Sequence, residues 1–374
     1  MIIIVLCVTF LYVVLIGSFI YGFEKVSEFH LEETANQTNF SILIPFRNEA
    51  ENLPDLLDSI SKLKYPVSNY EIIFVNDESE DGSIGIINKH LNKTEIKFKI
   101  IQNKRTSKSP KKDAISIAIE HASNPWIITT DADCLLPKLW LDCYNCFINK
   151  NNCKMIAGPV AYYKIHTFLD RFQTLDFLSL IGATIGGFGL RAPFLNNGAN
   201  LAYKKSFFKT LNGFEGNNNI ASGDDVFLLE KAIKKNKDSV IFIKAKDGIV
   251  LTKPQPSFKS LISQRIRWAS KTTHYNSNLA KVTSLIVLIM NATLISLLLF
   301  AIIGYFNFIS LLIVFVLKMA IDFALLFKTA QFFNQKHLFF NYPISALIYP
   351  FFCVYIAVVS LFTNYKWKGR AYKK

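Results

Sequence analysis

The chain has 374 residues, enough for one large domain or two small ones. It is 51% hydrophobic, with 33 phenylalanines and a mean hydropathy of +0.26, too apolar for an ordinary soluble enzyme. A net charge of +14 would suit nucleic acid in a soluble protein, but here the basic residues gather beside apolar spans. With no zinc-finger or RNA-binding motif beside them, they point to an anionic membrane surface and away from nucleic acid.

Ile2 to Tyr21 is an uncharged apolar run long enough to span a bilayer, read as a retained anchor over residues 1–23. The competing reading, a signal peptide, lacks a basic leading region and a clear small-residue cleavage site before Glu24. Glu24 to Asn39 is a polar stalk. An α/β domain is expected over residues 40–250. Phe40 to Pro45 reads as a short buried strand, Leu53 to Leu63 as a helix, Tyr70 to Val75 as a second strand and Lys97 to Ile101 as a third. A basic loop, Lys104 to Lys112, leads to a helix over Asp113 to His121. A fourth strand then runs into Asp131 and Asp133. Strands alternating with helices imply a mostly parallel sheet, whose ligands bind beyond the carboxyl ends of the strands.

The second block of this domain is less regular. A strand is expected within Ile156 to Val160. Thr167 to Ile185 reads as a helix, either in the core or on the membrane surface. The glycine-rich Gly186 to Gly198 reads as a loop before a strand over Ala199 to Tyr203. Ser222-Gly223-Asp224-Asp225 precedes a helix over Val226 to Lys234. Cys134, Cys143, Cys146 and Cys153 fall close together, but only half of a paired C-x-x-C zinc pattern is present. Helical spacing of Leu139, Trp140, Cys143 and Phe147 makes these thiols apolar core instead.

From residue 251 to 281 the acids vanish and basic residues accumulate around Phe258, Leu261, Ile262 and Trp268, as on a membrane-interface segment. Residues 282–364 hold three apolar spans, near Val282 to Gly304, Phe308 to Phe327 and Tyr342 to Phe362. Lys318 and Asp322 sit four apart in the middle one. Residues 365–374 form a basic tail. Its basic residues predict that the tail is cytosolic and that an even number of the C-terminal segments cross.

The chemistry concentrates where an apolar run ends in Asp131-Ala132-Asp133. In an extended chain residues i and i+2 share a face, so two hard oxygen donors can meet one Mg²⁺ or Mn²⁺ ion. The plain alternative is a solvated turn. Asp225, at a helix start, suits a general base, while a Ser-Gly-Asp-Asp run also suits helix capping, with Asp224 as the cap.

Seven motifs in order carry a resemblance. They are Ile44-Pro45-x-Arg47-Asn48-Glu49, Val75-Asn76-Asp77-x-Ser79-x-Asp81-Gly82, Lys111-Lys112-x-Ala114, Asp131-Ala132-Asp133, Asn197-Gly198-Ala199-Asn200, Gly223-Asp224-Asp225 and Gln264-Arg265-Ile266-Arg267-Trp268. Over about residues 40–275 the chain resembles a membrane-bound family 2 glycosyltransferase with the GT-A fold, of the cellulose, hyaluronan and ceramide glucosyl synthase type. It departs at Asn76, where an acid is usual, at Asp224, where Glu is common, and at Pro110, where Gly is usual.

The resemblance implies inverting transfer from a nucleotide-diphosphate sugar, with a UDP-sugar the expected donor, to a lipid or polysaccharide acceptor. Asp225 with Asp224 would be catalytic and Asp131 with Asp133 would hold the metal. Pro45, Arg47, Glu49, Asp77, Lys111, Asp131, Gln264, Arg267 and Trp268 would bind the donor. It further implies a multi-pass protein of the cell (inner) membrane with its catalytic domain facing the cytoplasm. A catalytically silent accessory subunit of a polysaccharide synthesis or export system is the alternative, against which the complete acidic and Gln-x-x-Arg-Trp motifs argue.

Overall fold

A computed structural model describes residues 2–34, 36–218, 220, 222–271, 275–363, 365–367 and 370–372. In chain order the elements are α1 (Ile2–Lys25), β1 (Phe40–Phe46), α2 (Leu53–Ile60), β2 (Tyr70–Asn76), α3 (Ser83–Leu91), β3 (Lys97–Gln102), α4 (Pro110–His121) and β4 (Trp126–Thr129). Next come β5 (Cys134–Leu135), α5 (Trp140–Lys150), β6 (Met155–Ala157), β7 (Val160–Tyr162), α6 (Phe168–Gly189), β8 (Leu201–Lys204), α7 (Lys205–Thr210), α8 (Asp224–Asn236), β9 (Val240–Phe242) and β10 (Val250–Thr252). The rest is helical, with α9 (Phe258–Ala269), α10 (Asn278–Ile302), α11 (Phe308–Phe332) and α12 (Tyr342–Phe362), before a hairpin of β11 (Tyr365–Trp367) and β12 (Arg370–Tyr372). Two units result, one of Ser27–Tyr163 and Leu195–Lys253, the other of Met1–Val26, Lys164–Phe194 and Pro254–Lys374.

The first unit is the α/β one. Its main sheet has the order β3-β2-β1-β4-β8-β6-β9, and β3, β2, β1 and β4 run parallel. β1 and β2 are almost wholly buried, which is why they read as continuous apolar runs rather than alternating ones. Strand β8 enters antiparallel to β4 and β6. A smaller sheet joins β5, β10 and β7. Because β1, β2 and β4 are parallel, the residues that follow Phe46, Asn76 and Thr129 emerge at one edge of the sheet.

Three local expectations change. The single strand sought in Ile156 to Val160 is two strands in two sheets, split at Gly158-Pro159. Gly158 donates its N–H to the Asn200 carbonyl at 2.8 Å, and a side chain there would strike Asn200 and Tyr144. Helix α4 begins at Pro110, whose missing N–H costs nothing in a first turn, rather than at Asp113. Gly186 to Gly189 belong to α6 and not to a loop. In the helical unit a Cβ at Gly22 or Gly189 would enter the backbone of the facing helix, so these glycines let α1 and α6 approach closely.

Among the described residues, four helices of the second unit are long and apolar enough to cross a membrane: Ile2–Lys25, Asn278–Ile302, Phe308–Phe332 and Lys336–Phe362. Much of their surface presents large exposed apolar side chains such as Phe10, Leu285, Phe308 and Phe351. One charged pair turns inward. Lys318 Nζ bonds Asp322 Oδ2 at 2.9 Å within α11, and Tyr12 of α1 donates its hydroxyl to Asp322 Oδ1 at 2.7 Å. Lys318 is 1% exposed and lies over the Tyr349 ring of α12.

Candidate active site

At the end of β1, Arg47 reaches across to the turn after β2. Its Nη1 donates to the Asp77 and Glu78 carbonyls at 2.7 and 2.8 Å. Asn48 adopts φ 51° and accepts the Glu80 N–H, while Asp81 accepts the N–H groups of Ala50 and Ser83. The Arg-Asn-Glu loop and the 77–83 turn are therefore zipped together by backbone-directed bonds. Glu49 serves this framework: its carboxylate accepts from Asn52 at 2.8 Å and its N–H donates to Ser83. Pro45 lies within β1, paired with Val75.

Asp77 is 5% exposed directly beyond β2. Its Oδ1 accepts from Asn103 at 2.8 Å and from Arg105 Nε at 3.1 Å. Neither Asn103 nor Arg105 was singled out from the sequence. The available signal was their place just after β3, the neighbour of β2 in the sheet.

The second cluster centres on Lys111 in the first turn of α4. Lys111 Nζ lies 2.6 Å from Asp131 Oδ1 and 3.5 Å from Asp224 Oδ2. Burial would push the Lys111 ammonium toward neutrality, but the charges of Asp131 and Asp224 and the Asp131 hydrogen bond carry its pKa above the usual lysine value. Lys112, next in the chain, points elsewhere. It is 1% exposed and donates to the Asn217 and Ile220 carbonyls at 2.7 and 3.0 Å. Asp113 accepts from Thr106 and Ser107 and so folds the basic loop back. Three consecutive residues thus face the site, the Asn217 and Ile220 carbonyls and their own loop.

Asp131 and Asp133 follow β4 in a turn, beyond the strand's last residue, Thr129. Asp131 remains 37% exposed in its side chain. Asp133 Oδ1 lies 3.7 Å from the Cys134 thiol. Among the described residues no group of three His, Cys, Asp or Glu side chains is arranged to hold a metal. The donor set fits a cation held by one or two carboxylates and completed by phosphate oxygens and water, the habit of Mg²⁺. Cys143 and Cys153 are buried, and burial pushes their thiols up to about 12 and about 11, as suits apolar core rather than thiolate ligands.

Asp224 and Asp225 lie within the first turn of α8, not before it; the N-cap is Gly223 in the left-handed region at φ 81°. Neither aspartate is therefore the cap. Asp224 is 8% exposed and faces Lys111. Asp225 is more open; its Oδ2 accepts the Gly198 N–H at 3.1 Å and its Oδ1 the Val226 N–H at 2.8 Å. A Cβ on Gly198 would come 3.1 Å from Asp224 Oδ2, so glycine here keeps the cluster open. Thr129 at the end of β4 donates to the Gly198 carbonyl, and fully buried Asn200 pins the next turn. Asn200 accepts from Trp140 and Tyr144 and donates to the Pro159 and Gly248 carbonyls.

Gln264, Arg267 and Trp268 belong to α9 of the helical unit, and their expected donor contacts rest on the motif alone. In that unit Arg265 is 5% exposed and its Nε bonds Asp176 Oδ2 of α6 at 2.6 Å. Its guanidinium lies 4.3 Å from the Trp268 ring, which also packs against Phe177.

The sequence model of Glycosyl transferase family 2 matches residues 41–212. The chain is 25% identical over 270 residues to the poly-beta-1,6-N-acetyl-D-glucosamine synthase of Staphylococcus epidermidis, covering 68% of this chain and 61% of that one. It thus spans about three fifths of that relative's length. It is 26% identical over 117 residues to the poly(ribitol-phosphate) beta-N-acetylglucosaminyltransferase TarS of Staphylococcus aureus, covering 31% of this chain and 20% of that one. Among solved structures, the mannosyltransferase PcManGT from Pyrobaculum calidifontis, in complex with GDP-Man and Mn²⁺, superposes with a TM-score of 0.60 at 16% identity. That match covers 96% of this chain and 98% of the other.

Proposed function

We propose that this chain, which has the GT-A fold and carries a match to Glycosyl transferase family 2 over residues 41–212, is a glycosyltransferase that moves a sugar, with inversion, from a nucleotide-diphosphate sugar to a lipid or polysaccharide acceptor at the membrane. The observation that carries this reading is the cluster in which Lys111 bridges Asp131 and Asp224 beside Asp225, beyond the carboxyl end of the parallel strands.

Asp77, with Asn103 and Arg105 fixing its carboxylate, takes the nucleoside, and Lys111 supplies positive charge to the donor. When bound, a Mg²⁺ or Mn²⁺ ion, which Asp131 and Asp133 would hold, supplies Lewis-acid neutralisation of the leaving diphosphate. Asp225 is the general base. The acceptor hydroxyl oxygen bonds the anomeric carbon, the bond from that carbon to the diphosphate oxygen breaks, and the hydroxyl proton passes to the Asp225 carboxylate. Two N–H groups at the N-terminus of α8 hold the Asp225 carboxylate in place. Its partial exposure, against the burial and lysine pairing of Asp224, favours it for the role.

The four apolar helices and the acid-free α9 support placement in the cell (inner) membrane with the α/β unit on the cytoplasmic side. A screen of UDP- and GDP-sugars with purified membranes, following nucleotide diphosphate release and the mass of the lipid product, tests the reading. A sugar-bearing lipid or glycan made only in the presence of one donor is expected; diphosphate release that yields no glycosylated product would overturn it.

A further inference from the structure

The Gln-x-x-Arg-Trp segment has an interior that the motif leaves unassigned. Arg265 stands in a variable position of that motif, yet it is the most buried of its polar residues. It is held from α6, an element whose function is otherwise unassigned. Asp176, 8% exposed, takes the Arg265 Nε–H at 2.6 Å, and Arg265 also donates to the Gln264 side-chain oxygen. The same guanidinium lies 4.3 Å from the ring centre of Trp268, one helical turn on, while Phe177, next to Asp176 in the chain, packs 6.3 Å from that ring. Two consecutive residues of α6 therefore act on one indole. Asp176 sets the guanidinium that faces the ring, and Phe177 sets the ring's other apolar neighbour.

We propose that Asp176 is a positioning residue, which through Arg265 fixes the rotamer of Trp268 and the side-chain oxygen of Gln264 for substrate. The physical reason lies in the number of free torsions. A tryptophan on a helix surface has two side-chain torsions to settle, and a partly exposed ring has too few contacts to settle them alone. A guanidinium clamped by a buried carboxylate is a rigid planar partner for such a ring, which a lysine is not. The pair also satisfies both charges inside the unit, where an isolated one would be costly. Loss of the carboxylate releases the arginine, and the indole loses its fixed face.

The proposal rests on the donor-and-acceptor reading above for its effect on catalysis, though not for the coupling itself. The full-length protein labelled with 5-fluorotryptophan and held in detergent reports Trp268 by fluorine magnetic resonance, the signal assigned by its absence in Trp268→Phe. Asp176→Asn and Arg265→Lys are expected to shift or broaden that signal while leaving the other tryptophans' signals in place. Because Asp176→Asn strands a buried positive charge, the double variant Asp176→Asn/Arg265→Gln is made as well. It removes both charges and is expected to displace the same signal. In membranes, transfer by all three is expected to fall on the order of tenfold to a hundredfold, as for a misplaced substrate contact, with binding of UDP and Mn²⁺ unchanged. An unmoved Trp268 signal in the folded double variant overturns the positioning role, as does a moved signal with undiminished transfer. Failure of the wild-type protein to transfer from any donor would instead count against the reading of its substrates.

Discussion

Lys111 Nζ, 2.6 Å from Asp131 and 3.5 Å from Asp224, would compete with the metal ion proposed for Asp131. Lys111→Ala is therefore expected to bind Mn²⁺ without nucleotide more tightly than wild type, on the order of tenfold for the loss of one nearby charge, while losing transfer activity. Calorimetry with Mn²⁺ alone checks the first part; an unchanged or weaker affinity would place the metal away from Asp131. Asp133→Ala should abolish the Mn²⁺ dependence of UDP binding without lowering thermal stability, since a turn carboxylate adds little to a core. Asp225→Asn should still bind UDP, with turnover reduced by about two or more orders of magnitude, the usual range for a general base. Activity within about threefold of wild type, below that range, would shift the role to another group. The aspartates were legible in the sequence as spaced acids at strand and helix ends. Their partners Asn103, Arg105 and Gly198 were not assigned individual roles, because a side chain's neighbours across a sheet are set by strand order.

The α4 helix shows what an element does with adjacent identical residues. Lys112 is buried against the Asn217 and Ile220 carbonyls, and burial lowers its pKa to about 8 despite the raising influence of Asp224, Asp225 and Asp113. Below that pH both folded and unfolded chains carry the proton. Between about pH 8 and the ordinary lysine value of 10.5, the unfolded chain keeps a proton that the folded one has released. Stability from this group therefore rises with pH across that window. The thermal midpoint of wild type relative to Lys112→Met should move in favour of wild type from pH 8 to 10.5; a flat difference would show that Lys112 titrates normally. In the helical unit, Asp322→Ala should leave Lys318 as a stranded buried charge and cost about 3–5 kcal/mol. Less monodisperse protein would then be recovered from membranes. Lys318→Met/Asp322→Leu should restore the yield, and failure to do so would give the pair a role beyond assembly.

For the whole molecule, span length and flanking charge make opposing predictions of topology. Three C-terminal helices are each long and apolar enough to cross, whereas the basic tail predicts an even number of crossings among them. Lys368, Lys373 and Lys374 of that tail lie outside the described residues. A cysteine at Lys373, in a background without the native cysteines, should resist an impermeant thiol reagent in intact cells and react once the membrane is opened. Labelling of intact cells would put the tail outside and make all three helices true spans. The apolar spans, the alternation of strands and helices, and the edge of the sheet where acids collect could all be read from the residue order. Each of these is a local pattern, set by hydrophobic period and by what ends a strand. Packing alone settles that Lys111 and Lys112 part company, that Gly186 and Gly189 sit in a helix pressed against the backbone of α1, and that Asp176 meets Arg265. Those are contacts between residues distant in the chain, and their geometry comes from packing, which no period in the sequence encodes.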